Sequence, residues 1–434
     1  MKDYTILIPD MCSIHFSLFK SIFEAYGYKI EVLKNEGPSV VEEGLKYVHN
    51  DTCYPALLVV GQMIDALKSG KYDLNKVALL MTQTGGGCRA SNYVYLIKKA
   101  LKRLNYDHIP VLALDLGSLG RKGGFRLTLP MIVKLLVAIT YGDALMLLNN
   151  QVLPYEVNKG QSQSVVDYWV EKLGNQFKEK KGFLKNEIKK NLQKIVQSFD
   201  KIPRLYEIKP KVGIVGEIYV KYSKLGNNHL EDFLVKEGCE VMVPGLMGFL
   251  MYSVNNRIED VDIYGGSKII RNAAALVLKY LNMYEEMIIK AVKKFSNFTA
   301  PSPFTHLKSL AEEVISRGCK MGEGWLLTAE IVDLVRNGYE NVVCTQPFGC
   351  LPNHIVGKGM IRKIKALYPK ANIVPIDYDP GATKVNQENR LKLMLAVARE
   401  NLETEFNKLG EIKKSAQSKA YLPKLELKTE KSLD

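Results

Sequence analysis

The chain has 434 residues, of which 47% are hydrophobic and 24% are charged. This mixture is typical of a soluble globular protein of two or three domains, and it excludes a disordered, collagen-like or fibrous chain. The 60 Lys and Arg against 46 Asp and Glu give a net charge of +14, which admits nucleic acid, an anionic membrane or a polyanionic cofactor as partner. The seven cysteines favour reduced thiols in the cytosol over a disulfide framework.

Neither the N-terminal residues nor the longest apolar stretch of the sequence indicates a membrane segment. The opening residues have too short an apolar run for a signal peptide, and Asp3 is among their first charges. The longest apolar stretch, 131–148, is interrupted by Lys134 and Asp143, so we expect a buried helix there and no membrane span. We therefore expect a cytoplasmic protein.

Strand and helix patterns alternate through the first 156 residues. Short apolar runs predict strands, and apolar residues at helical spacing predict helices, several of them bounded by Pro or Gly. Such alternation is typical of βαβ units around a parallel sheet. The predicted strands are 5–8, 29–33, 77–81 and 111–115, and the predicted helices are 13–26, 55–68, 91–104 and 130–148.

Strand patterns vanish between 157 and 209, where charged residues surround periodic apolar ones, and a second α/β region then spans 210–402. The sequence thus predicts an α/β fold of two Rossmann- or flavodoxin-like parallel-sheet lobes, 1–156 and 210–402, joined by a helical connector, 157–209. A Lys-rich tail, 403–434, is expected to be a frayed helix or a loose segment. The second lobe's predicted strands are 212–216, 239–243, 342–344 and 372–376, and its helices are 268–284, 307–317, 324–337, 356–367 and 386–402.

Three cysteines lie where a parallel sheet binds its ligands, beyond the carboxyl ends of strands. Cys53 comes directly before a predicted helix, Cys88 lies between a strand and a helix, and Cys350 follows a strand. Near a helix start, free N–H groups and the helix dipole favour a thiolate. The three positions are therefore candidate metal ligands.

A glycine loop, Gly85, Gly86 and Gly87, immediately precedes Cys88. Glycines let backbone amides approach a negatively charged body closely, and both an iron–sulfur cluster and a phosphate are such bodies. The phosphate interpretation is weaker, because Cys88 and Arg89 stand where a P-loop would need Lys and Ser or Thr.

The cysteine spacing by itself leaves a plainer alternative open. The chain has no CxxC pair, so its spacing matches no zinc or cluster signature, and buried structural thiols are the simpler interpretation. We expect Cys239 and Cys319 to be core thiols. Cys12 is ambiguous at a strand end, and Cys344 is either strand core or an additional ligand.

Acid–base candidates flank the same loops. His49 precedes the Cys53 segment and His354 follows Cys350, although an ordinary loop histidine is the simpler interpretation of each. Glu217, directly after a predicted strand, is a candidate acid, base or substrate-orienting group. Asp377 and Asp379 have a similar placement, which turn and cap chemistry explains.

The stretches of sequence around these candidate residues are more specific for a family than the spacing of the cysteines is. They resemble the 2-hydroxyacyl-CoA dehydratase / benzoyl-CoA reductase superfamily, and within it most closely the activase-related branch. The resemblance extends from residue 3 to about residue 400. The matching strings are ILIPDM at 6–11, GLKYVHNDTCYP at 44–55, TQTGGGCRASNY at 82–93, GD at 142–143, PYE at 154–156, GEIY at 216–219, QPFGCLPNHI at 346–355 and IDYDPG at 376–381.

The resemblance implies that Cys53, Cys88 and Cys350 hold a 4Fe–4S cluster, or the double-cubane 8Fe–9S cluster of some relatives, with Cys344 as a possible fourth ligand. Three protein ligands per cubane would leave one iron open. Glu217 and His354 would lie around the cluster. The resemblance further implies a dimer with itself or with a homologous subunit.

It also implies a partner, an ATP-hydrolysing iron–sulfur activase that injects single low-potential electrons. The chain has no ATPase nucleotide motif, so this activase would be a separate protein. We therefore expect the iron–sulfur subunit of an ATP-activated reductase or dehydratase acting on an acyl-CoA or a small reducible molecule. The alternative is a non-catalytic iron–sulfur electron carrier or cluster scaffold. A zinc or nucleic-acid module is disfavoured, because CxxC knuckles and aromatic–basic motifs are absent.

Overall fold

A computed structural model describes residues 1–49, 51–82, 87–114, 125 and 127–416, with side chains described as far as residue 404. The expected fold class is confirmed. Two four-stranded, all-parallel sheets are each flanked by helices, and a helical middle region joins them.

The sheet of the N-terminal lobe has the strand order β2-β1-β3-β4. Its central strands are short apolar runs buried on both faces, as expected when helices cover a parallel sheet on each side. The elements are β1 (Thr5–Pro9), α1 (Ser13–Ala25), β2 (Lys29–Leu33), α2 (Pro38–Tyr47), α3 (Tyr54–Lys68), β3 (Val77–Thr82), a short 3₁₀ helix (Arg89–Ser91), α4 (Tyr93–Arg103) and β4 (Val111–Leu114).

The middle region consists of α5 (Leu129–Val152), α6 (Gln161–Lys178) and α7 (Lys185–Asp200). Among the described residues, α5 is the one helix whose length and composition would suit a membrane span, but 72% of its most apolar window is buried. It packs against α1 and α7 and also reaches the sheet of the second lobe. We therefore interpret α5 as a core helix that ties the two lobes together.

The sheet of the C-terminal lobe has the order β6-β5-β7-β8, the same order as in the first lobe. Its elements are β5 (Lys211–Gly216), α8 (Ile218–Tyr222), α9 (Lys224–Asn227), α10 (Leu230–Lys236), β6 (Glu240–Met242), α11 (Leu246–Tyr264), α12 (Lys268–Phe295), α13 (Phe304–Val314), α14 (Gly324–Arg336), β7 (Asn341–Pro347), α15 (Leu351–Val356), a short 3₁₀ helix (Lys358–Met360), α16 (Ile361–Leu367), β8 (Asn372–Tyr378) and α17 (Lys384–Ala416).

The shared strand order places the functional edge of each sheet. In each lobe the chain runs from the first strand to one side and then crosses to the other, so the order reverses between β1 and β3 and between β5 and β7. Open parallel sheets bind ligands at this reversal, beyond the carboxyl ends of the strands. The residues that follow these four strands are therefore the ones to inspect for chemistry.

Several predicted elements differ from the observed ones. The helix predicted at 356–367 is interrupted at Gly357, where a Cβ would lie only 2.7 Å from the carbonyl oxygen of Asn353. The helices α2 and α11 were not predicted, and α12 is longer than predicted. The predicted tail is helical as far as Ala416, and its remaining residues lie outside the described part of the chain.

Candidate functional site

Two of the three cysteine loops meet across the boundary between the lobes. The backbone N–H of Tyr54 donates to the carbonyl oxygen of Phe348 over 2.9 Å. Gly349, at φ +72°, lies so close that a Cβ there would be 3.0 Å from the Cα of Cys53. Cys53 begins α3 of one lobe and Cys350 begins α15 of the other, so this contact brings a thiol from each lobe to one place.

The third cysteine, Cys88, is partly buried and follows β3. It immediately precedes the 3₁₀ helix that leads into α4. The first residue of α4, Tyr93, has its hydroxyl 3.7 Å from the Sγ of Cys53. The Cys88 segment and Cys53 are therefore joined through one buried tyrosine.

The glycine loop beside Cys88 approaches the second lobe. A Cβ on Gly87 would lie 2.5 Å from the Sδ of Met321, so the Met321 side chain would have to move to admit a larger residue here. Gly85 and Gly86 lie outside the described residues. The close approach of Gly87 gives the loop a packing role in addition to the one expected from its sequence.

A buried pair of carboxylates stands next to the cysteines. Glu217 begins α8, where its Oε2 accepts from the backbone N–H of Val220 over 2.9 Å. Glu323 accepts from the N–H of Ile218 over 2.9 Å. Burial, followed by the neighbouring charge of Glu323, raises the pKa of Glu217 to about 8. Burial also raises the pKa of Glu323, so the pair retains a proton at neutral pH.

The same surroundings disfavour bare thiolates. Burial raises the pKa of Cys53 to about 11, and Glu217 adds to this effect. Burial, then Glu323 and Glu217, raises the pKa of Cys350 as well. A metal centre bound here would have to displace thiol protons, because metals bind the thiolate form.

Next to Cys350, buried amides have unused hydrogen-bonding capacity. Gln346 donates through Nε2 to Asn353 Oδ1 and, over 2.9 Å, to the Sγ of Cys344. Gln346 Oε1, Asn353 Nδ2 and Glu323 Oε2 are buried and have no hydrogen-bond partner among the described residues. Cys344 itself is fully buried within β7, and burial raises its pKa to about 12. The structure thus places Cys344 in the strand core, beneath the Cys350 loop.

A single metal ion and a cluster place different requirements on the three loop thiols. Within the described residues, no three Cys, His, Asp or Glu side chains are arranged to chelate one metal ion. A cubane cluster presents a different iron to each of its thiolates, so its ligands stand further apart than those of a single zinc ion. The three thiols lie on separate loops, next to the unpaired buried polar atoms of Gln346, Asn353 and Glu323.

The other candidates have ordinary partners. His354 lies on α15, half-buried, and its backbone N–H donates to the carbonyl oxygen of Cys350 over 3.1 Å. His49 is exposed and lies 3.3 Å from Asp51. Asp379 accepts from the N–H of Gly381 over 2.7 Å, which confirms the turn interpretation of this residue. Asp377, on β8, pairs with Arg390 and Lys358.

Of the two cysteines expected to be core thiols, one is buried and the other is exposed. Cys239 is fully buried, as expected. The prediction for Cys319 is wrong, because this residue is exposed. Its segment forms turns ahead of α14 rather than a packed element, and the Cys319 carbonyl oxygen accepts from the N–H of Trp325 over 2.8 Å. Sequence reasoning also missed the contacts of Glu323 and Tyr93. Glu323 carries no local motif, and Tyr93 lies at the end of the string at 82–93, 40 residues along the chain from Cys53, which it contacts.

Comparison with protein-family models gives no match to this chain, and comparison with curated proteins gives none either. The functional interpretation therefore depends on the geometry of the site and on the motifs in the sequence.

Proposed function

We propose that this chain is the iron–sulfur subunit of an ATP-activated, low-potential reductase or dehydratase of the 2-hydroxyacyl-CoA dehydratase type. The contact between the Cys53 and Cys350 loops carries the proposal, because it joins a thiol from each lobe at the ligand-binding edges of both sheets. Cys88, linked to Cys53 through Tyr93, supplies the third thiol. The resemblance of the surrounding strings to that superfamily supports the same assignment.

Cys53, Cys88 and Cys350 are the residues that would hold a 4Fe–4S cluster or its double-cubane 8Fe–9S form. When bound, such a cluster supplies one-electron transfer at low potential. Cys344 is hydrogen-bonded by Gln346 inside β7, so we assign it a position beneath the cluster loop and keep three thiols as the ligand set.

The buried pair of Glu217 and Glu323 offers a proton for acid–base chemistry. Because Glu217 is buried beside Glu323, it keeps its proton at neutral pH and can donate it from a dry environment. Expulsion of a hydroxyl group from a substrate requires such a donor, and so does protonation of a reduced product. We therefore propose Glu217 as the proton donor and His354, on the helix that follows Cys350, as a residue that positions the loop.

The proposed partner is a separate ATP-hydrolysing iron–sulfur activase. A groove of about 530 Å³ between α7 and α12 has a floor of Met283 and Met287, and Glu286 is the one acidic residue that lines it. This basic border would suit an acidic face of the partner. The lysines that line the groove are Lys185, Lys189, Lys190, Lys290 and Lys294.

The remaining assignments follow from the same proposal. The substrate would be an acyl-CoA or another small reducible molecule. The chain would work in the cytoplasm as a dimer, with itself or with a homologous subunit, and without nucleic acid or a membrane.

The first experiment is anaerobic purification followed by iron, sulfide and zinc analysis and electron paramagnetic resonance. We expect iron and sulfide in the wild-type protein, with at least half of the iron lost in each of Cys53→Ser, Cys88→Ser and Cys350→Ser. Cys239→Ser and Cys319→Ser are matched controls and should keep their iron. Zinc without iron and sulfide, or full iron in all five variants, would contradict the cluster assignment.

The second measurement separates the catalytic function from the alternative. The iron-loaded chain is mixed with an iron–sulfur activase and ATP, and a panel of 2-hydroxyacyl-CoA thioesters and small reducible molecules is followed for product. Turnover supports the reductase or dehydratase. Reduction of the cluster without any turnover would favour the electron carrier or scaffold. Electron delivery should slow as salt rises, because the lysine groove is exposed.

A further inference from the structure

At the start of α1, a thiol, an imidazole and a carboxylate form a continuous buried chain. The Sγ of Cys12 lies 2.9 Å from Nδ1 of His15, and Nε2 of His15 lies 2.8 Å from Oδ1 of Asp143. The exposed fractions of these residues are 5%, 0% and 6%, respectively. The proposed function uses none of them.

The geometry is that of a relay. The thiol and the carboxylate contact opposite nitrogens of the His15 ring, so the imidazole separates them and their donor atoms do not converge on one point. No described group of three such side chains is arranged to bind a metal ion. The cluster of Cys12, His15 and Asp143 therefore has the connectivity of a proton relay.

Asp143 is fixed as an acceptor. Its Oδ1 accepts from the backbone N–H of Leu246 over 2.8 Å, and its Oδ2 accepts from that of Met247 over 2.9 Å, at the start of α11. With two N–H groups already donating to the carboxylate, Nε2 of His15 must be the donor in the third bond. Nδ1 then faces Cys12 and competes for the proton of its thiol.

The ring has little freedom to leave this position. A Cβ on Gly142 would overlap the His15 ring, so the backbone of α5 packs directly against the imidazole. Burial alone would lower the pKa of His15, but Cys12 and Asp143 outweigh burial and raise it to about 10. Cys12 is the N-cap residue of α1, a helix of 13 residues, and its side chain contacts His15 instead of the backbone N–H groups of the helix.

We propose that Cys12 is a nucleophilic thiol, activated by His15 and oriented by Asp143, and that it is a modification site for small oxidants of the peroxide class. An imidazole held by a carboxylate and facing a thiol is the arrangement that activates cysteine nucleophiles. Cys12 is 5% exposed, so the oxidant we propose is one as small as hydrogen peroxide.

The reaction balances with peroxide as the oxidant. The sulfur, its proton held on Nδ1 of His15, attacks one peroxide oxygen, so that an S–O bond forms and the O–O bond breaks. Sulfur loses two electrons and the peroxide gains them. The departing hydroxide takes the proton from His15 and leaves as water, and Cys12 becomes a sulfenic acid.

The test compares two buried thiols within the same full-length protein. The folded chain is exposed to hydrogen peroxide and dimedone, and adducts at individual cysteines are quantified by mass spectrometry. Cys12 is expected to label at least tenfold faster than Cys239, which is also buried but has no imidazole partner. Equal labelling of these two cysteines would overturn the proposal without requiring any variant.

A variant then tests the relay itself. Asp143→Asn keeps the size of the side chain but weakens its hold on His15, and labelling of Cys12 should fall at least tenfold while that of exposed Cys319 is unchanged. Unchanged labelling of Cys12 in a folded Asp143→Asn protein would overturn the role of the relay. Cys53→Ser should leave Cys12 labelling intact, which separates this proposal from the cluster assignment.

Discussion

In the N-terminal lobe β3 leads to Cys88, and in the C-terminal lobe the corresponding strand, β7, leads to Cys350. Because both sheets have the same strand order, these two thiols occupy equivalent positions at the point where the order reverses. Under the proposed function, the two lobes would contribute matching ligands to one site, and Cys53 would be the ligand without a counterpart in the other lobe.

The two lobes differ in the helices that follow their first strands, β1 and β5. The first helix after β1 carries a buried base, His15, which pairs with Asp143, and the first helix after β5 carries Lys221, which pairs with Glu330. The base of the N-terminal lobe also contacts a thiol, whereas Lys221 lies over the ring of Tyr222. Similar topology thus places a buried ion pair in each lobe, and side-chain identity decides whether it can activate a nucleophile.

The largest expected effect comes from replacing Lys221, the buried basic residue of the C-terminal lobe. Lys221 and Glu330 lie 3.2 Å apart, with side-chain exposures of 3% and 4%. Lys221→Met would leave Glu330 as an unpaired buried charge, so we expect a loss of about 3–5 kcal/mol in the free energy of unfolding, measured by urea denaturation.

The matched control for that variant is an exposed pair on the neighbouring helix. Lys224 lies 2.8 Å from Asp232, and both side chains are about half exposed. Lys224→Met should therefore cost less than about 1 kcal/mol. Similar losses in the two variants would mean that the Lys221 pair is not a buried structural element and that the parallel between the lobes fails there.

A second prediction concerns the contact that joins the lobes. Gly349→Ala adds a Cβ 3.0 Å from the Cα of Cys53, at a residue with φ +72°. We expect the iron content to fall by at least half, because the Cys53 and Cys350 loops must separate. The stability should fall by about 1–3 kcal/mol, as expected for a strained left-handed residue.

Gly338→Ala is the matched control, because it places an alanine at a left-handed residue that does not contact Cys53. Gly338 has φ +85° and no atom within 4 Å of an added Cβ, so the variant suffers the backbone strain alone. Its iron content should equal that of the wild-type protein. Equal iron loss in both variants would show that strain, and not the contact between the loops, governs cluster binding.

The sequence was sufficient for the fold class because the strands in the described part of the chain carry short apolar runs and are followed by helical patterns or turn residues. The helix α11 was missed because Gly, Asn and Asp blur its apolar face. The pairing of His15 with Asp143 could not be predicted, because 128 residues separate them. In the sequence, Asp143 stands out only as a charge within an apolar stretch and as part of the short string at 142–143. Cys319 was misplaced because its turns have no periodic signal.

The smallest expected effect is a pH dependence of stability. It tests how Glu217, which follows β5, differs from Cys12, which follows β1. The pKa of Glu217 is about 8 in the folded chain, against an ordinary value of 4.5. As pH rises from 4.5 to 8, the unfolded chain loses this proton before the folded chain does, so the wild-type protein is progressively destabilised. Glu217→Gln cannot ionise and avoids that loss.

We therefore expect the melting temperature of Glu217→Gln, relative to the wild-type protein, to rise by at least about 2 °C between pH 5 and pH 8 in the metal-free chain. The glutamine Oε1 still accepts from Val220, so the cap of α8 is retained. Glu42→Gln, on an exposed part of α2, should show no such trend. A difference that is constant across this pH range would mean that Glu217 is ionised throughout and cannot serve as the proton donor.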